Sequence, residues 1–255
     1  MNALAVFFWA IFPYACMVAC IGGLAWRWHY DQFGWTSRSS ELHESTWLRL
    51  GSPLFHYGII LVFFGHVMGL LIPKSWTEGA GIGEHTYHAF AVIGGSVAGL
   101  MTAVGLVILI IRRWVNRGVR RATTRGDVVM YVFLTLAIAL GLSATIATQV
   151  APGLSGGYNY RETISVWLRS LFTLQPQISL MTAVPAVFKM HIVAGFLLFA
   201  ILPNTRLVHI FSAPLGYVTR PYVVYRSRAE ATAAAPVRRG WSKPRDWKGE
   251  SAPSA

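Results

Sequence analysis

Acidic residues and cysteine are the scarce ingredients of this chain. Ten Asp and Glu stand against 22 Lys and Arg, charged residues of both signs make up only 13% of the 255 residues, and mean hydropathy is +0.47. So few charges over this length exclude an ordinary soluble domain and point to an integral membrane protein. The two cysteines, Cys16 and Cys20, lie one helical turn apart inside an apolar run. They exclude a disulfide framework, a cysteine-ligated iron–sulfur cluster and a Cys-x-x-Cys-His attachment for covalent haem. No basic stretch precedes the first apolar run, which predicts a retained first helix rather than a cleaved signal peptide.

Charge is absent altogether from residues 3–26, 51–73, 89–111 and 128–151, and a fifth apolar stretch, 183–213, is interrupted only by Lys189 and Arg206. Each is long enough to cross a hydrocarbon core of about 30 Å as a helix. The expected fold is all-α: a polytopic membrane protein with five transmembrane helices over residues 1–228, in the cell membrane. Residues 229–255, rich in Ala, Pro, Ser, Arg and Lys, are expected to form a disordered basic tail able to contact a partner or anionic lipid.

The basic charge is distributed unevenly. Lys and Arg number 3 between stretches one and two (Arg27, Arg38, Arg49), 6 between three and four (Arg112, Arg113, Arg117, Arg120, Arg121, Arg125) and 9 from Arg206 onward, so 18 of 22 fall on one side. The positive-inside rule then predicts an N-terminus outside and a cytoplasmic C-terminus. It also removes nucleic acid as a reading of the net charge of +12.

Four of the eight histidines carry the chemistry. His29, His43, His85 and His88 are expected in connections, whereas His56 and His66 lie in the second stretch, and His191 and His209 in the fifth. Strongly polar side chains at membrane depth are functional candidates by default. Gly58, Gly65 and Gly69 flank the first two, which allows a close helix crossing or the flat face of a porphyrin. Eighteen residues separate His191 from His209, five turns of an unbroken helix, so both are expected on one face. Stretches two and five run antiparallel, which pairs His66 with His191 toward the outside and His56 with His209 toward the cytoplasm. The rises disagree, at ~15 Å on stretch two against ~27 Å on stretch five. Two neutral imidazoles at each site suit the axial positions of haem b iron, and a bare zinc ion asks for more protein ligands. Arg112 and Arg206 are candidates to meet haem propionates.

Two connections have patterns of their own. In residues 161–174, Ile164, Val166, Trp167, Leu168, Leu171 and Phe172 fall mostly on one helical side, which predicts a helix on the outer membrane surface. Residues 79–83, GAGIG, follow a membrane helix rather than a strand, and are read as a flexible loop instead of a nucleotide fingerprint.

The segments LFHYGIILVFFGHVMGLLIP, RATTRGD, KMHIVAG and RLVHIFSAPLGYVTRPY together closely resemble the gamma subunit of membrane-bound respiratory nitrate reductase, over about residues 1–228. The resemblance implies a five-helix dihaem cytochrome b that oxidises quinol near the outer haem. Electrons would pass to the inner haem and on to an iron–sulfur beta subunit and a molybdenum alpha subunit on the cytoplasmic face, where nitrate is reduced. It also implies His66 and His191 as ligands of the outer haem and His56 and His209 of the inner. The family's quinol-site lysine at the start of helix three corresponds here to Thr86. His85, Thr86, His88, Gly65 and Gly69 are therefore the quinol-site candidates. Two further readings are a cytochrome b subunit of a heterodisulfide-reductase-like or sulfite-reducing complex, and a transporter with a histidine proton relay. The latter asks for polar residues on several helices, whereas stretches one, three and four are mostly small and apolar.

Overall fold

Long apolar runs in a chain whose backbone must satisfy its own hydrogen bonds can only be helices or a closed barrel. The computed structural model is all-helical among the described residues, which are 2–31, 34, 39–151 and 157–211. They belong to one compact unit, Met1–Ala213. The expected disordered tail, its boundary after residue 228 and the segment LGYVTRPY lie outside the described residues.

The helices are α1 (Ala3–Tyr30), α2 (Thr46–Leu71), α3 (Lys74–Gly79), α4 (Glu84–Val115), α5 (Arg117–Arg121), α6 (Arg125–Val150), α7 (Ile164–Phe172) and α8 (Ala186–Asn204), followed by a 3₁₀ turn, Arg206–Ile210. Five of them, α1, α2, α4, α6 and α8, are long and apolar enough to cross a membrane. One end of the bundle carries the arginine-rich connection between α4 and α6. The other, loop-rich end carries α3, α7 and three π-helical turns, Phe7–Ile11, Val67–Leu71 and Ile146–Val150.

Small residues set the tightest crossing. A Cβ on Gly105 of α4 would lie 2.4 Å from the Phe55 backbone nitrogen, and one on Gly58 of α2 would lie 2.6 Å from that of Thr102. Without side chains at these two points the α2 and α4 backbones approach directly, the usual solution where lipid provides no hydrophobic drive for helix association. Of the three glycines near the α2 histidines, Gly58 thus serves the crossing, Gly69 faces Tyr160, and Gly65 opens onto free space.

Three expectations are corrected. The fifth stretch is not one helix: its α-helical part ends at Ile201, Leu202–Asn204 tightens to 3₁₀, and Thr205 is extended (φ −119°, ψ 174°). Pro203 removes a backbone donor there, and the Thr205 hydroxyl caps the following turn through the Leu207 N–H. His85 and His88 are not in a connection, because α4 already begins at Glu84, an acidic first-turn residue that suits the helix dipole. His29 likewise falls within α1. Finally, α7 turns its apolar side to protein rather than lipid: Ile164, Trp167 and Leu171 are buried against Trp9, Met181 and Phe196. Trp167 donates its indole N–H to the Trp9 carbonyl at 2.9 Å, and their rings meet edge to face at 5.7 Å. GAGIG contributes the end of α3 and a turn in which Gly81 takes φ +80°.

Replacing Gly105 with alanine should cost about 1–3 kcal/mol through overpacking, seen as a lower thermal midpoint in detergent. Gly94→Ala, where a Cβ meets nothing within 4 Å, should leave that midpoint unchanged.

Candidate functional site

The bundle brings the four intramembrane histidines together in two pairs. The rings of His66 and His191 have centroids 6.0 Å apart with planes at 40°, near the loop-rich end. Those of His56 and His209 are also 6.0 Å apart, with planes at 61°. An imidazole nitrogen stands about 2 Å from a first-row metal and about 1 Å from its own ring centre, so two axial imidazoles on one metal have centres about 6 Å apart. Both pairs stand at that separation.

The ring nitrogens are oriented for the same purpose. Nδ1 of His56 lies 2.7 Å from the Ser52 carbonyl, that of His66 2.8 Å from Val62, that of His191 2.9 Å from Ala137, and that of His209 2.6 Å from Arg206. A carbonyl oxygen only accepts, so each Nδ1 must carry the proton. In a neutral ring the lone pair is then on Nε2, the arrangement by which outer-shell partners fix a metal-binding tautomer. Among the described residues no group of three or more His, Cys, Asp or Glu is placed to hold a metal ion. Each histidine pair therefore suits a metal whose other ligands come from a macrocycle.

The break in α8 settles the disagreement of rises. From His56 to His66 is ten residues, about 15 Å of helix, and so is the step from His191 to Ile201, where the α-helix ends. The α-helix stops there, and the 3₁₀ turn that follows brings the His209 ring to 6.0 Å from that of His56. Pro203 is received by Gly23 of α1, where a Cβ would lie 2.8 Å from its ring, and its carbonyl accepts from Arg27 at 2.5 Å.

Helix α6 contributes residues that sequence reasoning passed over. Besides the Ala137 carbonyl, Gly141 makes room for His191: a Cβ there would lie 3.0 Å from the ring's Cε1. Small residues at 137 and 141, one turn apart, were the available signal. Asp127, buried at the start of α6, holds Arg206 through Nε–Oδ1 at 2.7 Å and Nη2–Oδ2 at 2.9 Å.

The remaining candidates separate. Arg112 is fully engaged with the connection before α2: its Nε reaches Glu44 Oε2 at 2.5 Å, it donates to the Ser40 hydroxyl and carbonyl at 2.9 Å each, and it donates also to the Glu44 carbonyl. Burial pushes the Glu44 carboxyl up, but the Trp47 N–H and Arg112 outweigh it and hold it below the usual carboxylate range. Arg112 thus closes a connection, whereas Arg206 lies three residues from His209. His85 and Thr86 are exposed. His88 is half-buried, with Nε2 2.8 Å from Gln149 Oε1. The Gln149 amide donates to the Thr148 hydroxyl and the Tyr158 carbonyl, which leaves its oxygen to accept from His88. Nδ1 of His88 is then a buried acceptor without a partner among the described residues.

The family model described as nitrate reductase gamma subunit matches residues 5–228. The chain is 51% identical over 235 residues to the nitrate reductase-like protein NarX of Mycobacterium tuberculosis, covering 92% of this chain and 36% of that protein. It thus spans little more than a third of the first relatives it matches. It is 44% identical over 221 residues to the nitrate reductase gamma chain of Bacillus subtilis, covering 87% of this chain and 97% of that one. With the respiratory nitrate reductase 2 gamma chain of Escherichia coli it shares 34% over 224 residues, 88% of this chain and 97% of the relative.

Gly141→Leu should push the His191 ring away from the Ala137 carbonyl and dissolve the His66–His191 pair alone. Haem titration of the purified chain checks this: the variant should take up about half the equivalents that the parent takes up.

Proposed function

The chain belongs to the nitrate reductase gamma subunit family, and on that basis we propose that it is the quinol-oxidising, dihaem cytochrome b subunit of a respiratory nitrate reductase. The observation that supports this most directly is the pair of 6.0 Å imidazole contacts with all four Nδ1 atoms donating to carbonyls. His66 and His191 would hold the outer haem b, and His56 and His209 the inner. Haem b closed by two imidazoles supplies reversible one-electron transfer and leaves no axial position for oxygen. The excess of Lys and Arg at the arginine-rich end supports a cytoplasmic position for that end and an external one for the N-terminus. Electrons would leave there toward an iron–sulfur beta subunit and a molybdenum alpha subunit that reduces nitrate. This chain's own residues would not reduce nitrate, since its two cysteines cannot build an iron–sulfur cluster.

The quinol would bind at the loop-rich, outer end. His66 lies five residues before the end of α2, and His88 four residues after the start of α4, so both are about 6–8 Å from that end on crossing, antiparallel helices. Two buried acceptors there have no hydrogen bond among the described residues, Glu84 Oε2 and His88 Nδ1; Glu84 Oε2 stands between Lys74 at 3.5 Å and Arg161 at 3.6 Å, so we assign to His88 Nδ1 the hydrogen bond from a quinol hydroxyl in place of the family's lysine. Its Nε2–H is already committed to Gln149, which fixes the tautomer needed to accept. Gly65 leaves space beside His66 for a flat ring. His85 and Thr86, both exposed, would line the approach without that bond.

Two experiments test this reading. His66→Ala or His191→Ala should remove the outer haem and spare the inner, and two full haem equivalents in either variant would end the assignment. His88→Ala should slow haem reduction by quinol roughly five- to tenfold, the value of one hydrogen bond of about 1 kcal/mol or slightly more, with haem content intact. Unchanged quinol kinetics would return His88 to a purely structural bond with Gln149.

A further inference from the structure

His209 is the one histidine of the four that does not stand on an α-helix. The 3₁₀ turn that bears it, Arg206–Ile210, is a single short element that begins after an extended residue, with Val208 N–H bonded to the Thr205 carbonyl at 3.3 Å at its start and Phe211 N–H to that of Val208 at 3.0 Å at its end. Burial of Leu207 and Val208 pins the depth of the turn. Apolar packing is not directional, however, and leaves its rotation open.

One residue supplies direction from both its ends. The backbone carbonyl of Arg206 accepts the Nδ1–H of His209 at 2.6 Å, while its guanidinium forks onto both carboxylate oxygens of Asp127 at 2.7 and 2.9 Å. A two-point guanidinium–carboxylate contact fixes orientation as well as distance. Asp127 is itself fixed, because it closes a capping box at the head of α6: it accepts the Thr124 N–H at 3.0 Å, and its own N–H goes to the Thr124 hydroxyl at 3.2 Å. Arg113 of α4 stands 3.8 Å from the same carboxylate and lies over the Tyr131 ring.

We infer that Asp127 is a positioning residue for the inner haem: by holding Arg206 it sets the turn that presents His209 opposite His56. The inference rests on the ligand assignment proposed above. Removing outer-shell partners of a metal-bound histidine typically weakens metal retention 10- to 100-fold, and an unclamped turn should behave in the same way.

The test uses the assembled complex in native membranes, with haem content and a redox titration of the two b-type signals as readouts. Asp127→Asn keeps an acceptor for the Thr124 N–H but loses the charge, Arg206→Lys loses the fork, and Thr124→Ala loses only the hydroxyl that accepts the Asp127 N–H, while the ion pair and the backbone N–H that holds the Asp127 carboxylate stay. Asp127→Asn and Arg206→Lys should each weaken inner-haem retention roughly tenfold or shift the inner midpoint potential, with the outer signal unmoved. Thr124→Ala should leave both signals as in the parent. Two unchanged signals in Asp127→Asn would overturn the inference, as would loss of both haems together. An effect of Arg206→Lys without one of Asp127→Asn would also overturn it, by showing that Arg206 acts on the haem itself. If His209→Ala retains the inner haem, the ligand assignment has failed instead.

Discussion

Everything in this bundle answers to one constraint of depth: four imidazoles on two antiparallel segments must meet in pairs. On α2 the histidines are ten residues apart in one helix, about 15 Å. An unbroken last helix would carry His209 about 12 Å too far along the axis. The chain stops the α-helix at Ile201, turns through Pro203 and an extended Thr205, and carries His209 on a 3₁₀ turn that brings its ring to 6.0 Å from that of His56. Gly23 accommodates the Pro203 ring and Arg27 satisfies its carbonyl, so the break is packed and hydrogen-bonded.

A break of this kind exposes polar backbone, and at the arginine-rich end Arg27 receives it through the Pro203 carbonyl. Arg27, Arg112 and Arg113 are all buried there, and each has acceptors. Taking one partner from a buried ion pair costs about 3–5 kcal/mol because the other charge is stranded. Several such arginines are therefore fixed points of the structure as well as topology signals. At the opposite end Arg161, equally buried, lies 3.8 Å over the Tyr87 ring and bonds to the Thr77 hydroxyl at 2.8 Å.

How much of this was legible in the sequence follows from the range of each interaction. The spans follow from runs of uncharged residues, a local property, and the histidine pairs follow from counting residues along antiparallel runs. The helix break was signalled by Pro203 and by the mismatch of rises, yet periodicity alone carried an even five turns from His191 to His209. The surface placement of residues 161–174 failed for a different reason. An amphipathic segment has the same pattern whether its apolar side meets lipid or protein, and only the tertiary position of Trp9 and Phe196 decides. Arg112 was open for the same reason, since nothing local in the sequence places it against Ser40 and Glu44, some seventy residues earlier.

The two histidine-bearing helices are supported differently, and the difference assigns a role to a helix with no intramembrane histidine. On α2, His56 and His66 each bond to a carbonyl four residues back in their own helix, so their rings are oriented by the segment that carries them. On the last segment neither histidine is self-sufficient. His191 needs the Ala137 carbonyl and the space at Gly141, and His209 needs Arg206, which is held by Asp127; all three supports are on α6. Asp127 and Ala137 are ten residues apart in an unbroken stretch of α6, about 15 Å, the same rise that separates His56 from His66. The continuous helix α6 thus acts as a ruler for the broken one, transferring to α8 and its turn the spacing that α2 has intrinsically.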